Sequence, residues 1–380
     1  VSAPVLEARG LTKHFPLRGG FFAQLLGQAT RLVRAVEGVD FALGEGEVLG
    51  VVGESGCGKS TLGMTVVRLY EPTAGEVRFL GEDVAHYRGR RLRAFRRHAQ
   101  IIFQDPYQSL NPRFTVFDAV REPLVIHGLA SSATLVDRVV ETLDQVGLRP
   151  PETFCARFPH ELSGGQRQRV AIARAMVVRP RFVVADEPVS MLDVSIRAGI
   201  LKLLRRFTRD AGLSLLYISH DISTVRYLCD RTAVMYLGRI VEFGPTESVL
   251  ARPRHPYTRA LLAAVPLPDP DSGRARVRLP GEVPSSVSRP PGCAFHPRCP
   301  EVFEPCAALA PRLVPDGTSR AVACHLHASG IEAAALRTGT AGGVADAAIS
   351  PGAGQRAAAE GAGTAKPVGP GRRRGDPPTP

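Results

Sequence analysis

The run Gly53-Glu54-Ser55-Gly56-Cys57-Gly58-Lys59-Ser60 constrains this chain more than any other feature. Its glycines let successive backbone N–H groups face one anion, and a helix beginning at its end adds a positive dipole at the same point. Lys59 supplies a point charge for outer phosphates, and the Ser60 hydroxyl can ligate Mg²⁺. Such a loop works between a buried strand and a helix. The flanks offer both: Val48–Val52 is an apolar strand leading in, and Thr61–Leu69 is a helix-like run leading out.

The rest of the chain fits that core. From Val5 to about Leu250, apolar strand-like runs alternate with helical stretches, the pattern of an α/β domain. Glu47–Val52, Val77–Leu80, Arg181–Ala185 and Leu215–Ser219 are expected strands. Asp105 to about Glu161 departs from the alternation: Leu135, Val139, Leu143 and Val146 follow a helical period, and prolines punctuate the edges. This predicts a mostly helical insertion. The residues from 252 to 328 are Pro-rich and hold four of the seven cysteines. The last stretch, 329–380, is dominated by Ala, Gly and Pro and has no Phe or Tyr. It is expected to be a disordered tail, because it cannot bury enough apolar surface to offset its conformational entropy.

Composition narrows the class. With 380 residues, 44% of them hydrophobic, the chain can bury a sizeable core, which excludes collagen-like and small disulfide-stapled proteins. No stretch approaches the roughly 18 uncharged apolar residues of a membrane helix, and Val1–Phe15 lacks the basic start and apolar block of a secretory signal. The expected location is the cytoplasm, with membranes reached through partners. The formal charge is +12, carried mostly by Arg spread along the chain, with clusters at Arg88–Arg97 and Arg372–Arg374. Charge of this kind speaks to association rather than fold, and no nucleic-acid partner is expected from it.

A nucleotide loop needs a metal-holding carboxylate on a neighbouring strand. Phe182-Val183-Val184-Ala185-Asp186-Glu187 offers a buried strand ending in two acids. Asp186 is expected to hold Mg²⁺ and Glu187 to polarise the attacking water as general base. Leu162-Ser163-Gly164-Gly165-Gln166, followed by the helix-like Arg167–Val178, makes a second anion-binding helix start. One nucleotide does not need two phosphate cradles on one polypeptide, unless the second serves another subunit.

These motifs, in this order, resemble the ATP-binding subunits of ABC transporters from about Val5 to Leu326. The resemblance implies a P-loop α/β ATPase core with an antiparallel β subdomain and a helical subdomain near 105–180, together spanning about 1–251. It implies that ATP and Mg²⁺ are bound by Gly53 through Thr61, with Lys59 at the phosphates and Ser60, Gln104 and Asp186 near the metal. Glu187, His220 and Gln104 then take the places of base, switch histidine and Q-loop glutamine. Ser163, Gly164, Gly165 and Gln166 match the signature sequence, Asp193 within Ser190–Asp193 the D-loop, and Phe15 the aromatic that stacks on adenine. Met191 stands where this branch usually carries Ala. Cys57, inside the loop at a helix start, is expected to be an activated thiol whose alkylation blocks nucleotide entry.

The C-terminal region narrows the branch. Arg254-His255-Pro256-Tyr257-Thr258-Arg259-Ala260-Leu261 resembles a segment of oligopeptide, dipeptide and nickel importer ATPases. Cys293, Cys299, Cys306 and Cys324 follow it. Clustered cysteines in a cytoplasmic chain favour metal ligation over disulfides, and four thiolates suit an iron–sulfur cluster or Zn²⁺. The wide spacings lack the paired CxxC knuckles of zinc sites. The resemblance implies a [4Fe–4S] cluster in a small C-terminal extension. It also implies two transmembrane permease subunits, an extracytoplasmic solute-binding protein and a peripheral position on the cytoplasmic face of the inner membrane. The segment between Phe15 and Val36, with Gly19-Gly20-Phe21-Phe22 and Leu25-Leu26, looks like the F-type member of two-ATPase importers, whose partner is a D-type ATPase. A homodimer, a nickel or other small-solute cargo, and a non-transport ABC ATPase are the competing expectations.

Overall fold

A computed structural model describes residues 3–17, 31–129, 131–264, 281–282 and 284–327. The Gly19–Leu26 feature and the 329–380 tail lie outside the described residues.

The core is an eight-stranded sheet in the order β11-β12-β10-β9-β3-β8-β7-β6. At its centre β3 (Val48–Val52), β7 (Phe182–Asp186), β8 (Ser214–Ser219) and β9 (Arg231–Tyr236) are buried along their whole length. Strands covered on both faces read as unbroken apolar runs, which is why they stand out in the sequence. With β6 (Ala99–Ile102) they form the parallel part of the sheet; β10 (Arg239–Pro245), β12 (Ala321–Val322) and β11 (Val314–Pro315) add antiparallel strands at one edge. A second sheet, wholly antiparallel, runs β2-β1-β4-β5 through Arg31–Leu43, Leu6–Leu17, Ala74–Phe79 and Glu82–Asp83. An apolar cluster that includes Leu6, Phe41, Leu62, Val66 and Phe182 fills the space between the two sheets. Thus the helix that follows the phosphate loop, Lys59–Val66, is sandwiched between them.

The insertion is helical, as its periodicity predicts. Its helices span Pro106–Ser109, Val116–His127, Ser132–Gln145, Pro151–Cys155 and Gly164–Met176. Val139, Leu143 and Val146 are fully buried within it. Helix Val116–His127 shows how local chemistry sets the boundaries: Thr115 and Asp118 exchange capping hydrogen bonds at its start, and Gly128 ends it at φ 62°.

The C-terminal segment is tied into the eight-stranded sheet. Val322 pairs with Glu242 of β10. The Glu242 carboxylate is fully buried, yet it accepts the backbone N–H groups of Arg254 and His255 at 2.9 Å each and the Arg320 guanidinium at 2.6 Å. A buried charge is tolerated when its lone pairs are used in this way.

Candidate functional site

The parallel strands end together, and their C-terminal ends carry the site. Gly53–Gly58 leaves β3 and turns into the helix at Lys59. Gly58 sits at φ +105°, and a Cβ there would lie 2.0 Å from the Ala35 carbonyl oxygen, so only glycine lets β2 close on the loop. Lys59 is nearly buried, and its ammonium donates to the carbonyls of Gly53 at 2.8 Å and Glu54 at 3.0 Å. The loop's own backbone thus holds the ammonium in place.

β7 lies two strands from β3, with β8 between. That spacing brings Asp186 to Ser60, whose Oγ donates to Oδ1 at 3.0 Å. Burial raises the Asp186 pKa, while the Ser60 hydrogen bond and Lys59 oppose the rise. A desolvated carboxylate beside a hydroxyl is a donor pair suited to a hard cation. Gln104, expected near the metal, donates from its Nε2 to Glu187 Oε2, on the residue next to Asp186, at 2.9 Å. His220 reaches the same oxygen, Nδ1 to Oε2, at 3.0 Å. Glu187 is therefore the point where Gln104 and His220 meet. Its backbone sits at φ 45°, a left-handed conformation that costs a non-glycine residue about 1–2 kcal/mol. Its N–H on the Ile218 carbonyl and its carbonyl on the Ser190 hydroxyl hold it there.

Ser163 and Gln166 do not join this group. They cap their own helix, the Ser163 Oγ accepting the Gln166 N–H and the Gln166 Oε1 accepting the Ser163 N–H. A Cβ on Gly165 would lie 2.5 Å from Ile196 Cγ2, so this glycine serves the packing of helix Gly164–Met176 on helix Val194–Asp210. Asp193 begins that second helix and is exposed, beside Met191 at 63% and Val194 at 80% exposure. Phe15 lies on β1 opposite Val33, edge-on to Tyr70 at 5.2 Å between ring centroids, with the Lys13 ammonium 4.9 Å from its ring.

Two thiol expectations change. Cys57 is buried, and desolvation raises its pKa against the pull of Lys59, the direction opposite to that of an activated thiol. Cys293, Cys299, Cys306 and Cys324 all line one small pocket beside His255 and Phe295. Among the described residues, however, no three His, Cys, Asp or Glu side chains are arranged to hold a metal ion. The four thiols share a place without forming a ligand set.

Sequence reasoning missed three residues that hold the site. Arg197 bridges Asp221 at 3.0 Å and the Leu192 carbonyl at 3.3 Å, tying the D-loop to the turn after His220. Tyr257 and Arg298 reach Glu54 from the C-terminal segment. Both fall in stretches the motifs had marked, but no local pattern shows which distant residue they touch.

Residues 36–190 match the family described as ABC transporter, and residues 241–306 match the one described as oligopeptide/dipeptide transporter, C-terminal region. A probable peptide ABC transporter ATP-binding protein of Sinorhizobium fredii, y4tS, is 48% identical over 328 residues, covering 86% of this chain and 91% of that protein. The chain belongs to the ABC transporter ATP-binding family. The oligopeptide transport ATP-binding protein AppF of Bacillus subtilis is 45% identical to this ATPase over 326 residues, covering 85% and 97% of the two chains. A dimeric ATP-binding cassette solved with ADP and Pi, MJ0796, superposes with a TM-score of 0.56 at 29% identity, over 63% of this chain and 98% of that one. The ATPase thus has the ABC-type P-loop fold, a mixed sheet with helices, and its family's reaction is ATP hydrolysis. Among the described residues no helix is long and apolar enough to cross a membrane.

Proposed function

We propose that the chain is the ATP-hydrolysing subunit of a peptide importer, bound to the cytoplasmic face of the membrane through two permease subunits. What supports peptides as cargo is the pairing of an ABC core with the C-terminal match over 241–306, in relatives named for peptide transport. The observation that carries the mechanism is the separation just described: Ser60 meets Asp186 beside Lys59, and Gln104 and His220 meet on Glu187, while Ser163 and Gln166 bond to each other at the start of their own helix.

In this reading the Gly53–Thr61 loop and Lys59 bind the phosphates of ATP, and Ser60 and Asp186 hold Mg²⁺. Glu187 takes the proton of the attacking water, with Gln104 and His220 fixing its carboxylate. Rate enhancement comes mainly from positioning and charge neutralisation. The signature segment of a second ATPase closes the other side of the nucleotide, and Met191 and Val194 supply exposed apolar contacts at that junction. A D-type ATPase is the partner we favour. A cavity of about 370 Å³ follows Gln104, lined by Tyr107, Ser109, Leu110, Phe114, Glu122 and Arg174. It suits a cytoplasmic helix of the permease, so that closure of the ATPases is felt in the membrane.

We also infer a thiolate-held metal centre, [4Fe–4S] in preference to zinc, on Cys293, Cys299, Cys306 and Cys324. What supports it is the soft-donor chemistry of four thiols lining one pocket; as placed they are not in ligating geometry, so binding would require them to draw together. Such a centre would cross-link a segment poor in regular structure and take no part at the phosphates. Anaerobic purification followed by iron, sulfide and zinc analysis tests it; absence of all three overturns it. Reconstitution with the permeases in vesicles tests the function. Uptake of labelled peptides that stops with Glu187→Gln is the expected result, and uptake of nickel but not peptides would reassign the cargo.

A further inference from the structure

The phosphate loop is gripped from outside the ATPase core. Tyr257 Oη accepts the Glu54 N–H at 2.8 Å, across 203 positions of chain. Arg298, 244 positions away, donates from both terminal nitrogens to the two Glu54 carboxylate oxygens at 2.8 and 3.2 Å. Neither is a loose surface arm. Tyr257 is fully buried, with its ring 4.7 Å from Tyr236 and 5.5 Å from Phe295. The Arg298 side chain is 7% exposed, and the Tyr236 hydroxyl accepts a further bond from it at 3.5 Å. A two-pronged guanidinium–carboxylate pair fixes orientation as well as distance.

Glu54 matters for two physical reasons. Its carbonyl, together with that of Gly53, seats the Lys59 ammonium. With its N–H fixed by Tyr257 and its side chain by Arg298, the carbonyl between them has little freedom. Glu54 is also the one acid of the Gly53–Ser60 loop. A carboxylate only 27% exposed beside a phosphate cradle repels the ligand with less screening than in bulk water. The Arg298 charge cancels it.

We propose that Arg298 and Tyr257 are positioning residues of the nucleotide site, which fix the shape of the phosphate loop and neutralise its carboxylate, so that nucleotide affinity is set in part by the C-terminal segment. The inference rests on the reading of Gly53–Ser60 as the nucleotide loop. Arg298 stands on the short turn His296–Arg298, immediately before Cys299, so the four-thiol pocket and the phosphate loop share one structural support.

Calorimetric binding of MgADP to the full chain tests this, with steady-state ATPase kinetics beside it. Arg298→Met is expected to raise Kd about tenfold, and to raise KM more than it lowers kcat. Adding Glu54→Gln to Arg298→Met is expected to return Kd to within about threefold of the wild type, because the uncancelled charge is gone. Tyr257→Phe, which removes only the hydroxyl, is expected to raise Kd about threefold. Arg298→Lys keeps the charge but loses the fork; it covers the case where Arg298→Met fails to fold, and its Kd is expected between those of Arg298→Met and the wild type. Wild-type affinity in Arg298→Met or Arg298→Lys, or a double variant no tighter than Arg298→Met, overturns the proposal. Failure of the loop reading itself looks different: Lys59→Ala would then bind MgADP as well as the wild type.

Discussion

The Gly53–Ser60 loop and the Ser163–Gln166 segment are both glycine-containing helix starts, but among the described residues only the first meets the carboxylate Asp186, next to Glu187 and the residues gathered on it. At the loop, Ser60 touches Asp186, and Glu187 gathers Gln104 and His220, so residues from four separate stretches converge. At the signature segment, Ser163 and Gln166 bond to each other, and the neighbouring Met191, Asp193 and Val194 are exposed. A helix N-terminus with its side-chain cap turned inward still presents a positive end to solvent. The contrast fits the proposal that one chain carries two halves of different nucleotide sites, the half that positions charge being assembled within the chain and the other left for a second ATPase.

The sharpest way to break this contrast is to remove Lys59. Lys59→Ala deletes the cation held by the Gly53 and Glu54 carbonyls, and nucleotide binding is expected to fall by more than about 100-fold, measured by equilibrium titration with MgATP. Glu187→Gln separates binding from chemistry. Hydrolysis is expected to drop about 10²–10⁴-fold while ATP still binds, and an ATP-dependent dimer should accumulate in gel filtration with the natural partner. Hydrolysis at the wild-type rate would remove Glu187 from the role of base. Cys57 gives a smaller effect: with its pKa raised by burial, iodoacetamide at pH 7.5 should label it more slowly than the same residue in the denatured chain. Equal rates would mean that the loop opens readily and that Lys59 is not held as described.

Legibility in the sequence followed the range of the physics. The phosphate loop and the strand ending in Asp186 could be read because their requirements are local: glycines where backbones must approach, and unbroken apolar runs where strands are covered on both faces. The helical insertion could be read from the period of Val139, Leu143 and Val146. The meeting of Ser60 with Asp186 needed the strand order, which places β8 between β3 and β7. Motif order implied that meeting, but spacing did not. The grip of Tyr257 and Arg298 on Glu54 was invisible, since a pairing across 203 or 244 residues leaves no periodic trace. The direction of the Cys57 shift was not legible, because a helix N-terminus and a nearby Lys lower a thiol pKa, while burial raises it, and burial depends on tertiary packing. Four cysteines close in sequence did come to line one pocket, yet ligand geometry is finer than proximity.

The last comparison lies within the signature segment, between its glycine and its serine. Gly165→Ala gains helix propensity of about 0.5–1 kcal/mol, but its Cβ would meet Ile196 Cγ2 at 2.5 Å. That methyl belongs to a β-branched side chain with little rotamer freedom, so overpacking of about 1–3 kcal/mol should win and the melting temperature should fall. Combining it with Ile196→Ala should recover part of the loss, because the clashing methyl is removed. Ser163→Ala acts on the same helix without a clash. It removes the hydroxyl that accepts the Gln166 N–H, a cap whose loss typically costs about 1 kcal/mol. If the segment were only structural, the ATPase rate with the natural partner would follow that small change in stability. If it completes the partner's site, the rate should fall by much more than the stability loss explains, while the variant's own loop still titrates with MgADP. A mixed assembly carrying Ser163→Ala on this chain and a carboxylate-to-amide change at the corresponding base of the partner ATPase decides it. The two substitutions then fall on the same nucleotide, and the opposite site should keep turning over.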